Sequence, residues 1–199
     1  MIKNTSELNE KDYLFLKEML LKGEVFIYPT ETIYGIGGNG EKESVKVKIS
    51  EIKKRDLNKN FILLFKNIEM IEKFAFITDF EKAIIGKYMK KGGLTIILKS
   101  KKNLDDTIAA RISPHPFLKK LFQYIDFPII STSANISDNN YTHNFNKIYE
   151  IFKNKIKIFI KDDLNYVSSP SPSTIIKCEN NKIKILRQGA LKIPLTNFA

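Results

Sequence analysis

The sequence predicts an α/β fold, a mixed and partly parallel sheet with helices packed against it. Three observations lead there. Short apolar runs of strand character alternate with amphipathic stretches of helical period over most of the 199 residues; that order generates parallel strands joined by helices. Near the end, two adjacent strands around Asn180-Asn181 break the alternation and add antiparallel pairing. No internal repeat, low-complexity tract or Pro/Ser linker divides the chain, so residues 1–199 read as one domain. A chain of this length buries roughly 70% of its unfolded surface, and its core needs no staples.

Taken in order, Leu8 to Leu21 carries apolar residues at helical spacing, and Gly23 suits the C-terminal cap. Val25 to Tyr28 is a short strand. Glu41 to Lys54 places Val45, Ile49 and Ile52 on one helical face. "FILLF", Phe61 to Phe65, reads as a buried strand, and Asp79 as the cap of a helix that runs to Lys90 and stops at "KGG". "LTIILK" and "TIAARIS" are strands. Pro116 opens a helix with Leu118, Leu121, Phe122 and Ile125 on one side. "FPIIST" is a strand, Asn144 to Lys155 a helix, "IKIFI" a strand, and "STIIKC" with "KIKILR" a closing hairpin.

Composition narrows the functional classes. The single cysteine, Cys178, permits neither an internal disulfide nor a Cys-rich zinc site, which fits a reducing compartment. The N-terminus lacks an apolar h-region and no stretch reaches the ~20 apolar residues that span a bilayer, so the expectation is a soluble, cytoplasmic protein with no membrane partner. A net charge of +11 and a pI near 9.5 suit polyanionic partners as well as plain lysine-rich solvation. Of 33 basic residues only three are arginine: Arg55, Arg111 and Arg187. Arginine's planar fork binds phosphate or carboxylate in a way an ammonium cannot imitate.

Four of the nine glycines fall between Gly35 and Gly40, just after "YPTETIY". The glycines match G-x-G-x-x-G, but "PTETIY" separates them from the strand, and Glu41 follows where a P-loop needs lysine. His115 and His143 lack metal-ligand spacing and read as surface or capping residues. Asp105-Asp106 and Asp162-Asp163 read as solvated turn acids, and Cys178 as a small core residue. What remains is a set of hydroxyls and bases at element ends: Lys53 and Arg55 where a helix runs out, Arg111 closing "TIAAR", "STSANIS" after a buried strand, Ser173-Thr174 and Arg187. An extended exit from the helix would point Lys53 and Arg55 the same way. Together these ends suggest a cleft that holds an anion through many hydrogen bonds.

These segments resemble the YrdC-like family of threonylcarbamoyl-adenylate synthases. "YPTETIYGIGG" is similar to the family's Pro-Thr-Asp/Glu-Thr-Tyr-Gly-Leu-Gly segment, and Lys53-Lys54-Arg55 with Ser133-Ala134-Asn135 to its K-x-R and S-x-N signature. "AARISPHP", "PIISTSANIS", "PSTII" and "IKILRQGA" recur in the family's order, so the resemblance runs from about Gly23 to Ala190. It implies a twisted, open sheet around a basic cavity (the YrdC-like fold, in its single-domain form). It implies L-threonine, bicarbonate and ATP as substrates, and threonylcarbamoyl-AMP and pyrophosphate as products, for modification of tRNA. Carried over by position, Thr32, Arg111, Ser131 and Ser173 would hold threonine. Arg55, Lys59, Thr107, Ser133, Asn135, Tyr141 and Arg187 would meet ATP, with Lys53 and Arg55 as the catalytic signature. The glycines would lead the chain away from Thr30 and Thr32 through turns of positive φ, leaving both hydroxyls on the cavity. Three matches depart from the pattern: Asp56 stands for proline, Leu64 for histidine, and Lys91-Gly92-Gly93 for Pro-Gly-Pro.

The implied chemistry needs no nucleophilic side chain. A carbamate formed on threonine displaces pyrophosphate from the α-phosphorus, and fixed cations meet the growing charge. Magnesium would arrive with ATP, held mostly by phosphates and water, and no protein metal site is expected. Partners under this reading are tRNA or double-stranded RNA and a downstream threonylcarbamoyl-transferase complex. A basic RNA-binding module of the same fold without synthase activity is the first alternative. Carbamoyl transfer to another acceptor, as in hydrogenase maturation, is the second.

Overall fold

The computed structural model describes residues 1–57, 59–137, 140–166 and 171–194. Strand β1 (Ile2–Asn4) and a 3-10 turn lead into α1 (Glu10–Leu21), then β2 (Phe26–Tyr28), β3 (Gly35–Asn39), α2 (Glu43–Lys53) and β4 (Ile62–Leu64). Next come α3 (Ile68–Phe74), β5 (Ala75–Phe76), α4 (Asp79–Tyr88), β6 (Leu94–Ser100), β7 (Thr107–Arg111) and α5 (Pro116–Leu121). The chain continues through β8 (Ile129–Ser133), α6 (Phe145–Phe152) and β9 (Ile158–Lys161) to the hairpin β10 (Thr174–Glu179) and β11 (Lys182–Arg187).

All the strands join one open mixed sheet, ordered β1-β9-β2-β3-β8-β4-β7-β6-β10-β11, with β5 beside β6. β1–β9, β2–β9, β4–β7 and β6–β10 are parallel; the other pairings are antiparallel. Alternation along the strands splits the core into two faces. Phe26 and Tyr28 pack with Leu16 and Leu20 of α1 and Phe117 and Leu118 of α5. Ile27, between them, packs on the other face with Val45 and Ile49 of α2 and Ile148 and Phe152 of α6. Each such side chain, fully removed from water, contributes roughly 1.5–3 kcal/mol. Among the described residues no helix is long and apolar enough to cross a membrane.

Local signals in the sequence explain most boundaries. Gly23 follows α1 at φ 82°. Pro116 is the first residue of α5, and Asn180 and Asn181 both adopt positive φ between β10 and β11, as a two-residue hairpin turn requires. Other expectations are corrected. Thr78, not Asp79, caps α4: its Oγ1 accepts from the Glu81 amide, and Glu81 accepts back from the Thr78 amide. That reciprocal box places Asp79 one residue inside the helix. Lys54 at φ 54° is left-handed, so α2 does not leave by an extended exit.

The glycines call for the largest correction. Gly35 to Asn39 is strand β3, hydrogen-bonded between β2 and β8, not a run of turns. None of its glycines has positive φ; Gly23, Gly92 and Gly93 do. The reason for glycine is space. A Cβ on Gly37 would lie 2.1 Å from the Ile130 carbonyl oxygen and 2.8 Å from the Tyr28 ring. On Gly35 it would meet the same ring at 3.0 Å. The Tyr28 side chain passes so close to both positions that a Cβ on Gly37 has no room.

Candidate active site

The residues gathered from the sequence converge because strand ends from distant parts of the chain meet. β10 lies four strands from β8 along the sheet, yet Ser173, just before β10, Arg187 at the end of β11 and Ser131–Ser133 of β8 line one cavity. The sheet must curl over that span. The cavity holds about 360 Å³, within the range of small-molecule sites.

All three arginines line it: Arg55 from the exit of α2, Arg111 from the end of β7 and Arg187 from the end of β11. Ser131, Ser133, Tyr141 and Ser173 complete the set of expected residues on its wall. Thr30, Tyr34 and Gly35 add the turn that precedes and opens β3.

Arg111 is 4% exposed. Its Nη2 donates to Glu31 Oε1 at 2.6 Å and to Thr32 Oγ1 at 2.7 Å, and its buried Nε has no partner. Burial works to raise the Glu31 carboxyl pKa, but Arg111, Ser113 Oγ and the Gly93 amide hold it below the ordinary glutamate range. Thr32 thus sits behind Arg111 and orients it. Its hydroxyl also shares a hydrogen bond with Thr30 Oγ1 at 3.0 Å, and Thr30 Oγ1 donates to the Ile33 carbonyl. Of the two hydroxyls expected on the cavity, only Thr30 is on its wall.

Ser173 does for Arg187 what Thr32 does for Arg111. Its carbonyl accepts from Arg187 Nε at 3.1 Å and Nη2 at 2.7 Å, while its hydroxyl contacts Thr95 Oγ1 at 2.8 Å and accepts from Nη2 at 3.2 Å. Burial and the nearby Arg111 both lower the Arg187 pKa, so the wall carries like charges that an anion would relieve. Arg55 donates from Nη2 to the Asn60 carbonyl and lies 5.0 Å from the centre of the Phe61 ring.

Lys53 is 1% exposed and below the wall. Its Nζ donates to the carbonyls of Ser133 and Asn135 and, at 3.2 Å, to Asn135 Oδ1, which also accepts from Ser133 Oγ at 2.5 Å. Burial first, and Arg55 second, pull its pKa down to about 7. Three oxygens match the three protons of an ammonium. The K-x-R and S-x-N segments are therefore one unit, in which Lys53 and Asn135 pin the loop that presents Ser133.

Two expected residues stand apart. Lys59 is exposed and lines neither this cavity nor the next. Thr107, at the far end of β7 from Arg111, lines a second cavity of about 540 Å³ that shares Asn60 and Phe61 with the first and adds Lys46, Lys73, Lys101 and Lys102. Leu64 is fully buried in the core. His115 caps α5, its Nδ1 accepting from the Phe117 amide, but it is wholly buried rather than at the surface. Its ring faces Asp162, whose side chain is 3% exposed and not a solvated turn acid. Sequence reasoning missed Glu31, Ser113 and Thr95. Glu31 had a signal, a carboxylate between two threonines in an otherwise apolar stretch.

Three guanidiniums and several hydroxyls on one cavity wall make this an α/β domain whose cavity has the side chains suited to phosphates and carboxylates. The Sua5/YciO/YrdC family profile, described as telomere recombination, matches residues 18–189, and the chain belongs to that family. A Methanocaldococcus jannaschii protein provisionally named as a threonylcarbamoyl-AMP synthase is 35% identical over 196 residues, covering 94% of this chain and 92% of its own. The threonylcarbamoyl-AMP synthase of Psychromonas ingrahamii is 30% identical over 187 residues, covering 89% and 95%. The crystal structure of P. abyssi Sua5 complexed with L-threonine superposes with a TM-score of 0.84 at 26% identity, over 95% of this chain and 57% of that one.

Proposed function

We propose that the protein is a threonylcarbamoyl-AMP synthase, joining L-threonine, bicarbonate and ATP with release of pyrophosphate. The observation that carries this reading is the meeting of all three arginines on one cavity wall in a chain that otherwise uses lysine. The relatives' names and a threonine-bound structural neighbour support it.

Arg111, with Ser131 on the same cavity wall, takes the threonine. Arg55, Arg187, Ser133 and Tyr141 take the triphosphate. The amine of threonine bonds to the carbon of bicarbonate with loss of water to give a carbamate; its oxygen forms the new bond to the α-phosphorus as the bond to the pyrophosphate oxygen breaks. Negative charge moves onto the leaving pyrophosphate, and fixed guanidiniums stabilise it without reorganising. Alignment of the reactants lowers the barrier further, by up to ~7–11 kcal/mol when attack geometry is held. Magnesium, which neutralises triphosphate charge, would be held by phosphate oxygens and water; the described residues contain no cluster of three or more His, Cys, Asp or Glu able to hold a metal. Transfer of the product's threonylcarbamoyl group to tRNA by a downstream transferase complex, in the cytoplasm, completes the proposal, and the +11 charge supports a polyanionic partner.

The test is pyrophosphate release from ATP with threonine and bicarbonate supplied singly and together, carbon dioxide being rigorously excluded. Release is expected only with both, because the carbamate is the attacking species. Release that ignores bicarbonate contradicts the mechanism. Tight, salt-sensitive RNA binding with no release under any condition favours the binding-module alternative.

A further inference from the structure

The carboxylate of Glu31 ties together three segments that the sequence separates widely. Oε1 accepts from Arg111 Nη2 at 2.6 Å and from the Gly93 amide at 2.7 Å, and Oε2 accepts from Ser113 Oγ. Its side chain is only 10% exposed. The loop before β6 is shaped to it: Gly92 stands at φ 81°, and a Cβ there would lie 2.6 Å from Glu31 Cγ. A side chain at that position would crowd both Glu31 and Pro114.

The hydrogen-bond inventory shows what this arrangement does to the arginine. Nη2 carries two protons, and Glu31 and Thr32 take both. The guanidinium plane is thereby fixed: Nε is buried without a partner, and Nη1 is the nitrogen left for a ligand. We infer that Glu31 is the positioning residue that fixes the Arg111 guanidinium and aims its Nη1 at the substrate carboxylate. The inference rests on the proposed function, in that threonine supplies the carboxylate. Glu31 itself touches no reacting atom.

The experiment compares wild type, Glu31→Gln and Ser113→Ala by steady-state pyrophosphate release, with threonine and ATP varied separately and rates expressed per folded molecule. Glu31→Gln keeps the size but loses the charge and turns one acceptor into a donor. The KM for threonine is expected to rise about ten- to a hundredfold, the equivalent of one charge-assisted hydrogen bond. The KM for ATP should move less than about threefold, a separation a general loss of structure would not produce. Ser113→Ala removes one support and leaves the charge, so the same KM should rise by a smaller factor, about three- to tenfold. It decides the matter where Glu31→Gln fails to fold. Unchanged threonine KM in the folded variants, or equal shifts for both substrates, overturns the role for Glu31. A wild type with no threonine-dependent release overturns the functional reading itself, and this inference with it.

Discussion

Arg111→Lys is expected to slow pyrophosphate release about ten- to a hundredfold while melting close to wild type. The size follows from one lost charge-assisted bond, roughly 1.5–3 kcal/mol. Lysine keeps the charge opposite Glu31, so the buried carboxylate stays neutralised and the fold survives; removing the charge altogether would cost about 3–5 kcal/mol of stability. What lysine cannot do is cover Glu31 and Thr32 with one nitrogen and still aim a second nitrogen at a ligand. Lys48→Arg is the control, since Lys48 lies on α2 paired with Glu24 at 2.6 Å, outside the cavity wall. An Arg111→Lys protein that melts early yet turns over normally per folded molecule would make Arg111 a structural ion pair only.

The second large effect is on stability. Gly37→Ala should cost about 3 kcal/mol or more, the upper end of overpacking penalties. The added methyl meets the Ile130 carbonyl oxygen and the Tyr28 ring. Neither can give way: Ile130 is held in the β3–β8 pairing, and Tyr28 is fully buried. Gly86→Ala makes the matched comparison, because a Cβ at Gly86 in α4 has nothing within 4 Å. That change should stabilise by about 0.5–1 kcal/mol, the ordinary gain of alanine over glycine in a helix. Thermal melts of both variants give the answer. A Gly37→Ala protein as stable as wild type would show that β3 does not need its glycines for room.

Gly37 also shows where sequence reading reaches its limit. Strands with apolar alternation and helices with clear caps were legible, because α1, α5 and the closing hairpin carry local signals at Gly23, Pro116 and Asn180-Asn181. β3 was not, since glycine has no side chain to alternate, and its strand state comes from neighbours distant in sequence. The site divides in the same way. The rarity of arginine pointed to Arg55, Arg111 and Arg187, and all three line the cavity. The resemblance places Thr32 at the threonine, and in the structure its hydroxyl accepts from Arg111 Nη2. Ser113 and Thr95 lacked any signal because their work is to hold other side chains, and the one at Glu31, a carboxylate between two threonines, did not say what it holds. A support residue becomes visible only when the group it supports is in view.

The central claim is that one cavity joins threonine, bicarbonate and ATP into a mixed carbamic-phosphoric anhydride. The most direct measurement is mass spectrometry of the product formed from ATP, threonine and carbon-13 bicarbonate. A threonylcarbamoyl-AMP ion is expected that gains the mass of one label, appears in step with pyrophosphate, and weakens with Arg111→Lys. Pyrophosphate release with no labelled adenylate, or an adenylate of threonine alone without the carbamoyl carbon, would contradict it.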